Sequence, residues 1–188
     1  MPKSPDGTLQ RSDTGVRITF ERDLDHPIEK VWSALTEPER VKDWLAESEI
    51  DLRVGGRVYL KGDEIESEIT DLDPPKVLQY GWRSKDWDGG QIRFELSPTS
   101  SGTRLTFTHV FTPMSDAQGQ EFRTKYDLPD GWDPIPSNLA GWHAILDKLE
   151  NALGGAPSGA MADWHEEGIK PDDPWVALNE HYKKVLAR

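Results

Sequence analysis

From residue 49 to residue 111 the chain repeats one pattern, short runs of alternating apolar and polar side chains closed by clusters of glycine, proline, aspartate or serine. A period of two puts successive side chains on opposite faces of a pleated strand, so a long stretch of it commits the chain to a sheet. The runs fall at 50–52, 57–61, 64–72, 77–83, 92–96 and 105–111. Between them lie Val54-Gly55-Gly56, Gly62-Asp63, Asp73-Pro74-Pro75, Asp88-Gly89-Gly90 and Ser100-Ser101-Gly102. Turns this short make neighbouring strands antiparallel. One more strand precedes them, where Val16, Ile18, Phe20 and Leu24 alternate with Arg17, Thr19, Glu21 and Asp23. Seven antiparallel strands are therefore expected.

The period changes to the helical one in three places. Pro27 opens a helix on which Ile28, Val31, Trp32 and Leu35 share a face, and Pro38 separates it from a second helix at 39–45 carrying Val41, Trp44 and Leu45. Residues 112–136 hold no sustained period and read as a long loop with room for one helical turn at 116–126. Ser137 is the expected cap of a long helix over 137–153, whose Leu139, Trp142, Ile145, Leu146, Leu149 and Leu153 form one stripe ended by Gly154-Gly155. Residues 154–162 read as a linker. Asp172 or Asp173 then caps a last helix from Pro174, with Trp175, Leu178, Tyr182, Val185 and Leu186 on its apolar side. That stripe has to dock on its own core or on a second copy, and pairing into a homodimer is the preferred of the two. The expected organisation is a disordered leader at 1–15, one domain at 16–153, and a linker with an amphipathic helix at 154–188.

Charge and composition remove whole classes of function. With 22 Lys and Arg against 34 Asp and Glu the net charge is −12, and no basic run interleaved with aromatics is present to meet a phosphate backbone, so nucleic acid is not an expected partner. No cysteine is present, which excludes disulfides, thiolate nucleophiles and sulfur-bound metal. The leader is polar without the apolar core of a secretory signal, and no segment has the length and apolarity of a membrane span, so a cytoplasmic location is expected. His26, His109, His143, His165 and His181 show no paired-ligand spacing, Val54-Gly55-Gly56-Arg57 lacks the spacing of a dinucleotide fingerprint, and no nucleophile elbow surrounds Ser100 or Ser115. No catalytic residue, metal or cofactor is assigned.

Several phrases in a fixed order carry a family resemblance. The stretch from Phe20 through His26-Pro27-Ile28-Glu29-Lys30-Val31-Trp32-Ser33-Ala34-Leu35-Thr36 to Pro38 resembles the opening of the heat-shock-protein-90 ATPase activator homologue family. Trp44, Val54-Gly55-Gly56-Arg57, Asp73-Pro74-Pro75-Lys76-Val77-Leu78, Gly102-Thr103-Arg104-Leu105-Thr106-Phe107-Thr108-His109 and Gly141-Trp142 continue it over 16–153. The resemblance implies an α+β helix-grip fold of the START-like, Bet v-like type, with a seven-stranded antiparallel sheet wrapped around a long C-terminal helix. It also implies three functions that one scaffold can carry. The first is a hydrophobic cavity holding an apolar or amphipathic small molecule. A protein-binding role toward a chaperone or other protein is the second, and aromatic-cyclase chemistry the third.

The expected pocket lies between the sheet and the long helix. Trp44, Tyr80, Trp82, Phe94, Phe107 and Trp142 are its candidate aromatic walls, with Phe111, Ile145, Leu146 and Leu149 completing the lining, and core packing explains the same six aromatics equally well. His109 shares a strand face with Leu105, Phe107 and Phe111, where an imidazole either binds a ligand or serves as a hydrogen-bonded core histidine. Glu66 and Glu68 share a face of their strand, inward as an acid–base pair or outward as a solvated ridge. Glu68 is carried as a pocket candidate on the first of these.

Overall fold

The computed structural model describes residues 4–13, 15–62, 64–85, 87–113, 115–125, 133–157 and 173–187. Eight strands form one antiparallel sheet: β1 (Thr8–Ser12), β2 (Gly15–Leu24), β3 (Ser48–Ile50), β4 (Arg57–Leu60), β5 (Ile65–Asp73), β6 (Val77–Ser84), β7 (Trp87–Pro98) and β8 (Thr103–Phe111). Their spatial order is β1-β2-β8-β7-β6-β5-β4-β3, so the chain runs as a meander from β3 to β8 and β2 closes against β8. The helices are α1 (Ile28–Thr36), α2 (Pro38–Val41), α3 (Asp116–Lys125), α4 (Pro134–Leu153) and α5 (Pro174–Leu186).

The expected seven strands are all present and an eighth precedes them. Where a disordered leader was expected, Thr8–Ser12 pairs with β2 in the register Thr8 to Thr19 through Ser12 to Gly15. Its TLQRS sequence gives no alternation because four of its five residues are exposed, so backbone pairing rather than apolar burial holds this edge. Met1 to Lys3 lie outside the described residues, as do 126–132 of the expected loop and 158–172 of the expected linker and cap.

Proline and glycine account for the other differences. The long helix begins at Pro134 rather than Ser137, and the Asp133 side chain accepts from the Ile135 N–H at 2.9 Å as the cap. The prolines of Asp133-Pro134-Ile135-Pro136, which read as loop in the sequence, fit the first helical turn because N–H groups there have no intrahelical acceptor. Ser137 is buried inside the helix. The second helix ends at Val41, and Trp44 and Leu45 reach the core from the following turn, where Trp44 Nε1 donates to the Ala34 carbonyl at 2.9 Å. Asp88-Gly89-Gly90 lies inside β7 instead of forming a turn. Gly90 has a φ of +81°, and a Cβ there would strike the Val110 carbonyl on β8.

Alternation sorts the sheet into two faces. The side toward α4 carries Ile18, Phe20, Tyr80, Trp82, Ile92, Phe94, Leu105 and Phe107, all buried. The opposite side carries charge: Arg57 bridges Glu49 and Glu66, and Arg93 bridges Asp71 and Glu95. α4 turns Leu139, Trp142, Ile145, Leu146, Leu149 and Leu153 into the core, and α5 packs against α4 with Trp175, Leu178 and Tyr182 buried. The last helix thus docks on its own core. No helix among the described residues is long and apolar enough to cross a membrane.

Candidate functional site

Trp142 sits at the centre of the space between sheet and helix. Its ring lies 4.2 Å from Phe107 and 4.9 Å from Trp82, centroid to centroid, and Phe107 continues to Phe94 at 5.1 Å. Phe94 in turn meets Tyr80 and Trp44, each at 6.4 Å. Six aromatic residues named from the sequence are therefore brought together, with Ile145, Leu146 and Leu149 buried on the helix side. Rings at these separations make stacked, tilted and edge-on contacts.

His109 belongs to the same face, 4.8 Å from the Phe111 ring, and its hydrogen bonds decide its state. Trp142 Nε1 can only donate, so His109 Nδ1 accepts at 2.9 Å and carries no proton. The proton is on Nε2, which donates to the Gly89 carbonyl at 2.5 Å. Burial pushes the imidazole down to about 4, so it is neutral at pH 7 with both nitrogens engaged. Of its two sequence readings, the hydrogen-bonded core histidine is the one this geometry describes. It ties β8, the start of β7 and α4 together.

Two other polar groups of the face are different. Tyr80 and Trp82, two residues apart on β6, are 5% and 7% exposed, and neither the hydroxyl nor the indole N–H makes a hydrogen bond among the described residues. Burial pushes the Tyr80 phenol well above its usual range, so it stays a neutral donor. Glu68, by contrast, is exposed on the outer side beside Arg57, with Glu66 on the same ridge, while Ile65 and Ile69 point inward. Glu68 therefore does not share the inward face with His109, both of whose nitrogens are engaged.

A second cluster escaped the sequence reading. Arg22 occupies an inward position of β2, between Phe20 and Leu24, and is 2% exposed. Its Nε lies 3.0 Å from Glu150 Oε1 as an ion pair without hydrogen-bond geometry, and its Nη1 donates to the Pro5 carbonyl at 2.8 Å. His143, fully buried on α4, contacts the Tyr182 hydroxyl at 2.7 Å through Nδ1 and Ser4 Oγ at 2.8 Å through Nε2. Ser4 Oγ donates to Asp147 at 2.5 Å, and the Tyr182 oxygen accepts from the Gly7 N–H at 2.9 Å. An arginine on the apolar phase of a strand was the available signal, together with His143 and Asp147 one helical turn apart.

Comparisons with known proteins agree with this architecture. The family model described as activator of Hsp90 ATPase homolog 1-like protein matches residues 25–154. The solution structure of CalU16 from Micromonospora echinospora is similar with a TM-score of 0.69 at 22% identity, over 97% of this chain and 91% of that one. Protein MLL2253 from Mesorhizobium loti is 26% identical, with a TM-score of 0.57 over 74% of this chain and 97% of that one. DynU16, described as a putative protein in the dynemicin biosynthetic locus, gives a TM-score of 0.58 at 21% identity, over 79% of this chain and 50% of that one. No curated protein matches the chain.

Proposed function

The chain belongs to the activator of Hsp90 ATPase homolog 1-like family, and on that footing we propose that it is a binding protein for an apolar or amphipathic small molecule held between the sheet and α4. The observation that carries this reading is the pair of β6 donors, on Tyr80 and Trp82, that make no hydrogen bond among the described residues. Both side chains are nearly buried within the aromatic cluster, and a ligand acceptor placed there would give each donor a hydrogen-bond partner. The Tyr80 hydroxyl and Trp82 N–H suit a ligand that presents an acceptor, a carbonyl or ether oxygen, to an otherwise apolar wall. Because the surrounding rings touch one another, a ligand has to part them, and a planar molecule that stacks on Trp142 and Trp82 does so at least cost. The likeness to a protein from a biosynthetic locus is in keeping with such a ligand.

Titration with an anilinonaphthalene sulfonate dye tests the reading. Saturable one-to-one binding to the folded chain, weakened about tenfold by Tyr80→Phe, is expected for a loss of one hydrogen bond in the site. Dye affinity unchanged by Tyr80→Phe and by Trp142→Phe would place binding elsewhere.

A protein-binding role has one observation in its favour. Leu52 and Val54, 40% and 60% exposed, project from the loop that joins edge strand β3 to β4. Two apolar residues beside an open sheet edge suit a protein partner better than solvent. Replacing both by serine removes such binding and leaves the dye titration untouched, which separates the two readings.

A further inference from the structure

We propose that His143 is a proton-operated latch holding the amino-terminal segment and α5 against α4. Hydrogen placement carries the argument. Ser4 has one hydroxyl hydrogen and it points to Asp147, so His143 Nε2 must be the donor to Ser4 Oγ. His143 Nδ1 is then bare and accepts the Tyr182 hydroxyl hydrogen, and the Tyr182 oxygen is left to accept from Gly7. Every hydrogen in the chain from Gly7 to Asp147 has an acceptor, and the arrangement requires a neutral imidazole.

A second proton on His143 breaks it. Nδ1–H would then face the tyrosine hydroxyl, two donors would meet, and the displaced Tyr182 hydrogen would need a new acceptor at a residue that is 0% exposed. Burial opposes the charge most; Asp147 on α4 favours it, and Arg22 on β2 opposes it by less than Asp147 favours it. Asp6 of the amino-terminal segment and His181 of α5 act on the same site with opposite signs. They pair with each other at 2.8 Å. Glu150 faces Arg22, and its burial raises its proton affinity. The balance holds His143 below its ordinary value, desolvation being the largest cause.

A folded-state value below the ordinary one near 6.5 means that the latch is closed above neutrality and opens as pH falls below that value. The ring lies at the junction of α4, Ser4 and Tyr182, so the parts released are the segment before β1 and α5. β7, β8 and the inward face of α4 stay packed.

Hydrogen exchange on the full chain reads this directly. Corrected for the intrinsic pH dependence of exchange, α5 amides should exchange about tenfold faster near pH 5 than near pH 7.5, while β7 and β8 change less than about twofold. His143→Gln keeps one donor and one acceptor without titrating, and should abolish the step. His181→Gln should leave it in place. In the unmodified chain the His143 ring, followed by NMR, should titrate with the same midpoint as α5 opening, which keeps the test decisive if the glutamine variant fails to fold. A step that survives His143→Gln, vanishes in His181→Gln, or reaches α5 and the sheet together would overturn the latch.

Discussion

Both nitrogens of His109 found protein partners on folding, while the Tyr80 hydroxyl on the same face of the sheet found none among the described residues. Opposite mutational outcomes follow. Tyr80→Phe removes an unmet donor and keeps the ring that meets Phe94, so thermal stability should hold or rise while ligand affinity falls. A large drop in melting temperature in that variant would mean that the hydroxyl has a structural partner. His109 behaves as a stability residue with a pH signature. Its value of about 4 lies below the ordinary 6.5, so the unfolded chain binds the proton first, and stability is complete above pH 6.5 and lost as pH falls toward 4. At 1.36 kcal/mol per pH unit the full loss is roughly 3 kcal/mol. Urea unfolding near pH 7 and near pH 5 checks this: His109→Gln should be less stable at pH 7 and show a shallower decline. An equal decline in both proteins would contradict a neutral, doubly bonded ring.

Helix α4 is where the sheet, the aromatic cluster and the polar latch meet, and Trp142 is its principal contact with the sheet. Trp142→Ala empties a nearly fully buried indole and strips His109 Nδ1 of its donor, so a loss of about 3–5 kcal/mol or somewhat more is expected in urea denaturation. A loss under about 1 kcal/mol would mean that the rings repack without it. Elements whose burial follows a clear period were readable from the sequence, including the six strands from β3 to β8 and the stripe of α4. β1 was not, because four of its five residues are exposed and its contribution is mainly backbone pairing. The start of α4 was hidden by two prolines that only a first helical turn accommodates. The aromatic wall was legible residue by residue, since Trp44, Tyr80, Trp82, Phe94, Phe107 and Trp142 all lie on inward phases. Glu68 kept two readings and the Arg22 cluster was missed for one reason: a strand's period says which residues share a face, while a charged residue's face is set by partners distant in sequence. Ser4 and Tyr182 lie 139 and 39 residues from His143, separations that no local pattern records.

For the molecule as a whole, α5 changes what the chain can expose. Its Trp175, Leu178 and Tyr182 are buried against the chain's own α4, with Trp175 Nε1 donating to the Ser137 carbonyl at 3.2 Å, so pairing with a second copy is not needed to cover that stripe. Ending the chain at residue 157 should therefore lower the melting temperature and uncover apolar surface, with no dimer-to-monomer change in light scattering. A clean shift from dimer to monomer would show that the helix serves an interface as well. The central claim, that the space between sheet and α4 is a ligand site anchored by two donors on β6, is tested most directly by the tryptophan indole N–H signals in a two-dimensional NMR titration with a planar aromatic ketone. The account predicts a saturable shift of the Trp82 signal and of Trp142, none at Trp44, whose N–H is committed to Ala34, and about tenfold weaker binding in Tyr80→Phe. Shifts confined to surface residues, or a Trp82 signal unmoved at saturating probe, would contradict it.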